Sequence, residues 1–522
     1  MQDKDLVTII LEGRIDSNNA SKVEESIHEK LSGKEPAKVV IDAEKLEYIS
    51  SAGLRVILRI KKTNPDLTIC NVSTDVYEIF DKTGFTEMMK VERAYRKVSI
   101  EGCEVVGKGA NGTVYRIDAD TVVKVYNNPD AIEDIRHERE VAKLALILGI
   151  PTAISYDVVR IGDSYGAVFE LLNATNFSKI LNSRPEKFDW CVKEFAGLLK
   201  TIHATKVPEG KLPEIRNKVI HWVKFVQEYI PKEAGDKLMK MVEAVPEDDH
   251  LIHGDYHTKN VMLQGDEVLL IDMDTLAVGN PIFELASVFN SLVGYSEYNH
   301  DTLIDFQGYD YATGQKFWHD SLAAYLDTRC EAKIREVADK ARIIGYTRMI
   351  RRTIRRKGLE TEELRSEIEL WKKELLALLE KVDDLTFHIN ELNVEADVKY
   401  LEDVQFFIEE KLEAVGCPPK ALMQINVAAE EIFVNIANYA YHPERGRATV
   451  RVEITEEPGV VLTFLDKGVP YDPLSRSDPD VSLPAEERDI GGLGIFITKK
   501  FMDDVNYEYK DGQNILTLKK AL

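Results

Sequence analysis

The spacing of apolar positions changes character along the chain and divides it into three stretches. Over residues 1–98, short apolar runs at 7–11, 39–41 and 67–70 alternate with helix-like stretches at 20–31, 53–62 and 76–82. That alternation predicts a small α/β domain with a mixed sheet. From about 99 the pattern is strand-rich as far as Glu170 and then mostly helical to about 382, which predicts a bilobal domain with a cleft. Leu364, Ile368, Trp371, Leu375, Leu378 and Val382 recur at steps of three and four, the period of one amphipathic helix over 361–382. Residues 383–522 open with helices at 400–415 and 420–439 and continue with strands at 449–454 and 460–465. A Gly-rich turn, a helix and a strand pair complete that stretch. The expected architecture is therefore multidomain α/β and α+β, with domains at 1–98, 99–382 and 383–522 and no internal repeat.

Length agrees, because 522 residues at roughly 150 per domain give three to four domains. The 44% hydrophobic and 30% charged residues are ordinary for a globular chain. The most apolar run, at 144–150, is far below the ~20 residues a spanning helix needs. The N-terminus, MQDKDLVTII, has neither a basic n-region nor a cleavage site, so no membrane partner and a cytoplasmic location are expected. A net charge of −23 argues against direct nucleic-acid binding, which needs clustered cations against phosphates. The cysteines Cys70, Cys103, Cys191, Cys330 and Cys417 are scattered without zinc spacing and read as reduced, buried thiols.

Candidate chemistry begins at Gly107-Lys108-Gly109-Ala110-Asn111-Gly112, between two expected strands. Glycines there let backbone N–H groups approach phosphate oxygens. On the next strand Lys124 stands among Val122, Val123 and Val125, where an unpaired ammonium would be costly. A phosphate and a helix carboxylate, Glu140 with Glu138 as its near rival, would partner it. Downstream, His253-Gly254-Asp255-Tyr256-His257-Thr258-Lys259-Asn260 precedes Ile271-Asp272-Met273-Asp274. Asp255 would accept or orient the proton of an attacking hydroxyl, and Asn260 and Asp272 are hard oxygen ligands suited to Mg²⁺. These motifs, with GNPIFELA and the stretch around His203, resemble the aminoglycoside phosphotransferase and choline kinase branch of the protein-kinase-like fold. The resemblance implies an ATP site with Lys124 paired to Glu140, Asp255 as catalytic aspartate, Asn260 and Asp272 on magnesium, and His203 in structural support. No DFG or APE segment follows, which leaves the acceptor open. The basic stretch from Arg348 to Lys357 reads as a solvated helix face offsetting the acidic excess, in preference to an anionic-substrate site.

In the last stretch Glu431 and Asn435 lie four apart, on one face of an expected helix. A carboxylate and a carboxamide so placed can activate a nucleophile and ligate Mg²⁺. Asp466-Lys467-Gly468 follows a strand, and Gly491-Gly492-Leu493-Gly494 opens a helix whose N-terminus suits phosphate. The order ExxxN, DxGxxxD, GGLGI resembles the GHKL (Bergerat) ATPase α/β sandwich, and the short lid is most similar to anti-sigma factor serine kinases. That resemblance implies Asn435 on magnesium, Asp466 with Gly468 at adenine, Gly492 and Gly494 around phosphates, Glu431 as general base, and a homodimer. Asn438 stands where many of these kinases have histidine.

At the N-terminus, Tyr48-Ile49-Ser50-Ser51-Ala52-Gly53-Leu54 leads from a strand into a helix. Either serine would serve as an N-cap, and a phosphate there would be favoured by the free N–H groups. LEGRIDSNNA, YISSAGL and FDKTGF together resemble a STAS domain, the anti-sigma factor antagonist fold, in which Ser51 matches the phosphorylated serine. Ser50 replaces an aspartate common in that family. Three functions follow. The first is a signalling kinase of the partner-switching type, which phosphorylates a STAS serine in cis or on a partner and engages sigma or anti-sigma regulators. The second is a phosphotransferase acting on a small hydroxylated substrate under control of the flanking domains, and the third is a nucleotide-gated scaffold.

Overall fold

The structure is a computed structural model that describes residues 6–32, 38–108, 112–128, 132–456, 459–475 and 493–522. It divides into two compact units, residues 1–139 with 154–171 and residues 140–153 with 172–522.

In the first unit, strand Leu6–Ile15 buries Val7, Ile9, Leu11 and Ile15 and exposes the residues between, the period-two pattern of a strand with one face on a core. It pairs with Lys38–Ile49, which continues to Thr68–Val72 and Lys90–Arg93. Every one of these pairings is parallel, so the expected mixed sheet is corrected to a parallel one. The physical reason lies in the connections. The helices Ala20–Leu31, Ser51–Thr63 and Thr74–Lys82 each follow a strand and return the chain to the same sheet end before the next strand begins. Helix Ser51–Thr63 packs so closely that a Cβ on Gly53 would come within 2.7 Å of Ile49 Cγ1 and 2.8 Å of Ile15 Cγ2.

The same unit holds a six-stranded sheet in the order Arg96–Lys97, Ser155–Ile161, Ser164–Glu170, Thr121–Tyr126, Gly112–Arg116, Val105–Lys108. Its two faces carry separate small cores. Tyr126, Val158 and Ala167 pack with Ile135 on one, and Val123, Val159, Ile161 and Val168 pack on the other. Glu44, from the first sheet's second strand, receives Lys97 at 2.9 Å and Arg160 at 3.4 Å. Pairs this exposed fix geometry more than they stabilise.

In the second unit a large helical core runs from Val141 to Leu385. Its spine is Glu331–Lys357, a helix of 27 residues, about 40 Å at 1.5 Å per residue. It packs against Ile282–Leu292 and Glu362–Lys381. The latter is the helix predicted over 361–382, capped by Thr361 Oγ1 and burying Ile368, Trp371, Leu375 and Leu378. A separate core lies under an antiparallel sheet in the order Glu391–Glu395, Arg447–Thr455, Gly459–Asp466, Gln513–Ala521, Asp504–Lys510. Helices Leu401–Glu413 and Pro419–Asn435 contribute to that core. Cys330 and Ala332, at the start of the spine helix, are buried in it as well. Beside them Glu336 takes Lys333 Nζ at 2.9 Å, Lys340 Nζ at 3.1 Å and the backbone N–H of Asn393 at 3.2 Å, all in the interior. Such a cluster specifies docking because breaking one arm leaves a buried charge unpaired. Among the described residues no helix is long and apolar enough to cross a membrane.

Candidate functional site

The groups expected to hold nucleotide in the middle of the chain divide between the units. In the first, Gly107 lies within strand Val105–Lys108 and Gly112 begins its antiparallel neighbour. A Cβ on Gly112 would come within 3.0 Å of the Val125 carbonyl carbon, so only glycine fits this crossing. Gly109 lies outside the described residues. Lys124, on Thr121–Tyr126, gives its ammonium to Glu138 Oε1 at 2.8 Å, and Tyr126 bonds the other oxygen of the same carboxylate. This corrects the expected partner, Glu140. On helix Ile132–Ile147 the buried positions are Ile135, Glu138, Val141, Ala142 and Ala145, the stripe of residues three and four apart. Glu140 is two residues past Glu138, about 200° around the helix, and is exposed.

The second unit carries the loop between strands Leu251–Ile252 and Val261–Gln264. Both oxygens of Glu284, fully buried on helix Ile282–Leu292, accept the Gly254 N–H at 3.1 and 3.0 Å, and Oε2 also takes the His253 N–H. Burial pushes the Glu284 carboxyl up to about 7, against these N–H donors. His253 is buried, with Nε2 3.2 Å from the Ile271 carbonyl and Nδ1 accepting the Asp255 N–H at 3.3 Å, which an Nε2–H tautomer satisfies. Asp255 is thereby held with its carboxylate toward His257 Nε2 at 3.6 Å and Arg348 Nη2 at 3.9 Å. Burial works against that charge, but His257 and Arg348 prevail and hold the carboxyl well below its usual range. Asn260 Nδ2 donates to the Asp255 carbonyl at 3.0 Å, and its own backbone carbonyl accepts the Ile271 N–H at 3.0 Å. Asp272 stands in the left-handed region at φ 67°, directly after Ile271, whose backbone bonds both Asn260 and His253.

Sequence reasoning missed Arg348. It is not on a solvated face: Nη1 donates to Ser287 Oγ at 2.8 Å and to the Gly254 carbonyl at 3.2 Å, and the guanidinium lies over Trp222. A signal was available, since Arg348 begins the basic run and stands between the buried Thr347 and Met349. His203 is buried with Nδ1 2.8 Å from the Tyr325 hydroxyl, in the structural role expected of it, and burial lowers its imidazole to about 3.

In the C-terminal stretch, helix Pro419–Asn435 passes into a π-helical turn, Ile436–Ala440, directly after Asn435. Such turns mark places where a helix is re-aimed. A Cβ on Gly494 would land on the Glu431 carboxylate, its carbon only 2.8 Å away, so the first turn of helix Leu493–Phe501 is pressed against Glu431. Asp466 is buried, its Oδ1 accepting Asn514 Nδ2 at 2.8 Å and the Gly468 N–H at 2.9 Å. Burial raises its carboxyl pKa against those bonds. A Cβ on Gly468 would come within 2.6 Å of the Ala440 carbonyl carbon, which makes glycine obligatory there. Gly492 lies outside the described residues. In the first unit Ser50 caps helix Ser51–Thr63 by accepting the Gly53 N–H at 3.5 Å, leaving Ser51 exposed at its first position.

Residues 2–98 match the STAS domain family, 102–325 the phosphotransferase enzyme family, and 394–520 the histidine kinase-like ATPase domain. Over 85 residues the chain is 34% identical to BtrV of Bordetella bronchiseptica, a candidate anti-sigma factor antagonist, covering 16% of this chain and 72% of that protein. Over 109 residues it is 30% identical to the serine-protein kinase RsbW of Listeria monocytogenes, covering 20% of this chain and 69% of the relative. Among solved structures, ADP-bound aminoglycoside phosphotransferase APH(2'')-Ib is 13% identical, covers 58% of this chain and 98% of its own, and has a TM-score of 0.39. The chain is thus an ATP-dependent kinase that belongs to the STAS-domain anti-sigma factor antagonists at its N-terminus and to the RsbW-type serine-protein kinases at its C-terminus, with a phosphotransferase-family segment between them.

Proposed function

We propose that the C-terminal domain phosphorylates a STAS serine, Ser51 of this chain or its counterpart on a partner, and so switches binding of a sigma or anti-sigma-type regulator. The observation that carries this reading is Ser51 itself: Ser50 caps the helix, so the Ser51 hydroxyl has no capping duty and is exposed. In the transfer, Glu431 takes the proton of the serine hydroxyl as its oxygen forms the bond to the γ-phosphorus of ATP, and ADP departs. Asp466 and Gly468 hold adenine, Gly492 and Gly494 the phosphates. Mg²⁺ fits the amide oxygen of Asn435, and when bound it offsets charge on the phosphates.

The middle domain is read as a second phosphotransferase. In this reading Asp255 accepts the proton of an alcohol, the roles of Gly107, Gly109, Gly112 and Lys124 are to bind ATP, and Glu138 orients Lys124. The Asn260 amide, whose nitrogen is taken by the Asp255 carbonyl, has its oxygen left for a cation, and with the Asp272 carboxylate it suits Mg²⁺. Its support is a catalytic loop in which the N–H groups of His253, Gly254 and Asp255 and the Asp255 carboxylate each have dedicated partners, a degree of preorganisation a mere scaffold would not need. Domain limits at 98/99 and 382/383, and a homodimer, complete the proposal.

Labelled ATP and Mg²⁺ with pure protein test both parts. Label on Ser51, or on an added STAS domain, that disappears in Glu431→Ala but persists in Asp255→Ala is the expected result. Label on neither serine, in cis or on the added domain, would sink the partner-switching reading.

A further inference from the structure

We propose that the alcohol phosphorylated by the middle domain is a small anionic one, carrying a phosphate or carboxylate a few bonds from the accepting hydroxyl. The inference rests on the middle domain being a phosphotransferase and names its acceptor class.

The cations around Asp255 carry it. Arg348 lies 3.9 Å from the Asp255 carboxylate, and Arg351, Arg352 and Arg355 follow at steps of three, four and seven on the same face of helix Glu331–Lys357. Helix Ile215–Val226 packs against that helix. It places Trp222 under Arg348, and Lys218 one turn earlier. The ammonium of Lys218 senses both Arg348 and Arg351 as well as Asp255 and Asp274: burial and the two guanidinium charges push its pKa down against the pull of the carboxylates.

Among the described residues, Arg348 is the member of this face with a carboxylate within 4 Å; Lys218, Arg351, Arg352 and Arg355 have none, and Arg352 lies over the Tyr295 ring. The contrast with the first half of the same helix is direct. There Lys333 and Lys340 share Glu336, Lys340 also takes Asp384, and Arg342 reaches Asp339 and Glu374. The chain has 90 acidic side chains against 67 basic ones, so carboxylates to pair this face were not scarce. Like charges at these helical steps repel, and a face that keeps them on the helix that brings Arg348 to the catalytic carboxylate is complementary to an anion delivered with the substrate. A cationic acceptor, the kind an aminoglycoside or choline presents, would meet repulsion here.

The transfer balances without further reactants. The acceptor oxygen forms a bond to the γ-phosphorus as the bond to the β–γ bridging oxygen breaks, ADP leaves, and the hydroxyl proton goes to Asp255.

The full chain with Asn435→Ala, which silences the C-terminal site, is given ATP, Mg²⁺ and matched alcohols: glycerol against glycerol 3-phosphate, ribose against ribose 5-phosphate, with choline and kanamycin as cations. Expected is a kcat/KM at least 100-fold higher for an anionic member than for its neutral counterpart. Lys218→Glu and Arg351→Glu should each raise the KM for that anion at least tenfold, and Lys218→Arg should restore it. Equal or better transfer to neutral or cationic alcohols overturns the inference and leaves the phosphotransferase reading standing. ATP binding without transfer to any anionic alcohol, or transfer to a serine of an acidic peptide alone, overturns it too. Failure of the middle domain to bind ATP, read by titration against Asp272→Asn, removes the phosphotransferase reading itself.

Discussion

Lys124 Nζ lies 2.8 Å from Glu138 Oε1, and both side chains are largely withdrawn from water, at 16% and 6% exposure. Removing one partner of such a pair leaves the other charge to bear its desolvation alone. Glu138→Gln should therefore lower kcat/KM for ATP in the middle domain at least tenfold, about 1.4 kcal/mol of transition-state stabilisation. Glu140→Gln, on the exposed face of the same helix, should stay within twofold. Steady-state ADP release in the Asn435→Ala background measures both, and equal losses would mean the pairing does not orient Lys124.

The helix boundaries and the order of elements were legible because they rest on local periodicity. Ala20–Leu31 falls where the apolar spacing put it, and Glu362–Lys381 lies inside the predicted 361–382 with Thr361 as its cap. What periodicity cannot give is which of two neighbouring glutamates turns inward. Glu138 and Glu140 are equally polar, and the choice is made by the phase of Ile135, Ala142 and Ala145. Strand direction was likewise hidden in the connections, since a strand's own residues do not record whether its neighbour runs parallel. Arg348 was lost in a run of six basic residues within ten positions, because its partners Ser287 and Gly254 are 61 and 94 residues away in sequence. The strand Glu391–Glu395 was also missed: five residues with only Leu392 and Val394 buried carry little pattern.

Glu284 ties the catalytic loop to pH. Burial pushes its folded carboxyl up to about 7, from the 4.5 of an ordinary glutamate in the unfolded chain. Between those values the folded protein holds a proton that the unfolded chain has released, so stability falls as pH rises through the window. Glutamine does not titrate there. The stability advantage of wild type over Glu284→Gln should therefore be larger at pH 5 than at pH 8, by up to about 3 kcal/mol. Denaturant unfolding at the two pH values reads the difference; an advantage that grows with pH would show that the charged form is the one the fold prefers.

Two glycines of the C-terminal domain should fail in different ways. A Cβ on Gly494 strikes only the end of the Glu431 side chain, which can rotate away. Gly494→Ala is expected to melt within about 1 kcal/mol of wild type while serine phosphorylation drops at least tenfold, because the proposed base has been displaced. A Cβ on Gly468 strikes the backbone of Ala440, which cannot move without unwinding the turn after Asn435. Gly468→Ala should cost about 3 kcal/mol of domain stability, seen by calorimetry. If Gly494→Ala keeps full activity, Glu431 is not the base.

Ser50 and Ser51 separate capping from chemistry at adjacent positions. Ser50 accepts the Gly53 N–H at 3.5 Å, a long bond, so Ser50→Ala should cost about 0.5 kcal/mol, the low end of the range for a lost cap. Its label from ATP should persist, because the hydroxyl that receives phosphate is untouched. Ser51 occupies the first helical position with its side chain in solvent, and alanine is a better helix former there. Ser51→Ala should therefore leave the melting temperature unchanged or slightly raised and abolish the label. The two variants thus invert each other's effects on stability and phosphorylation, an outcome general damage to the domain cannot mimic. Phosphopeptide mapping with thermal melts of both decides it; label that survives Ser51→Ala and vanishes in Ser50→Ala would move the acceptor by one residue and make the cap itself the switch.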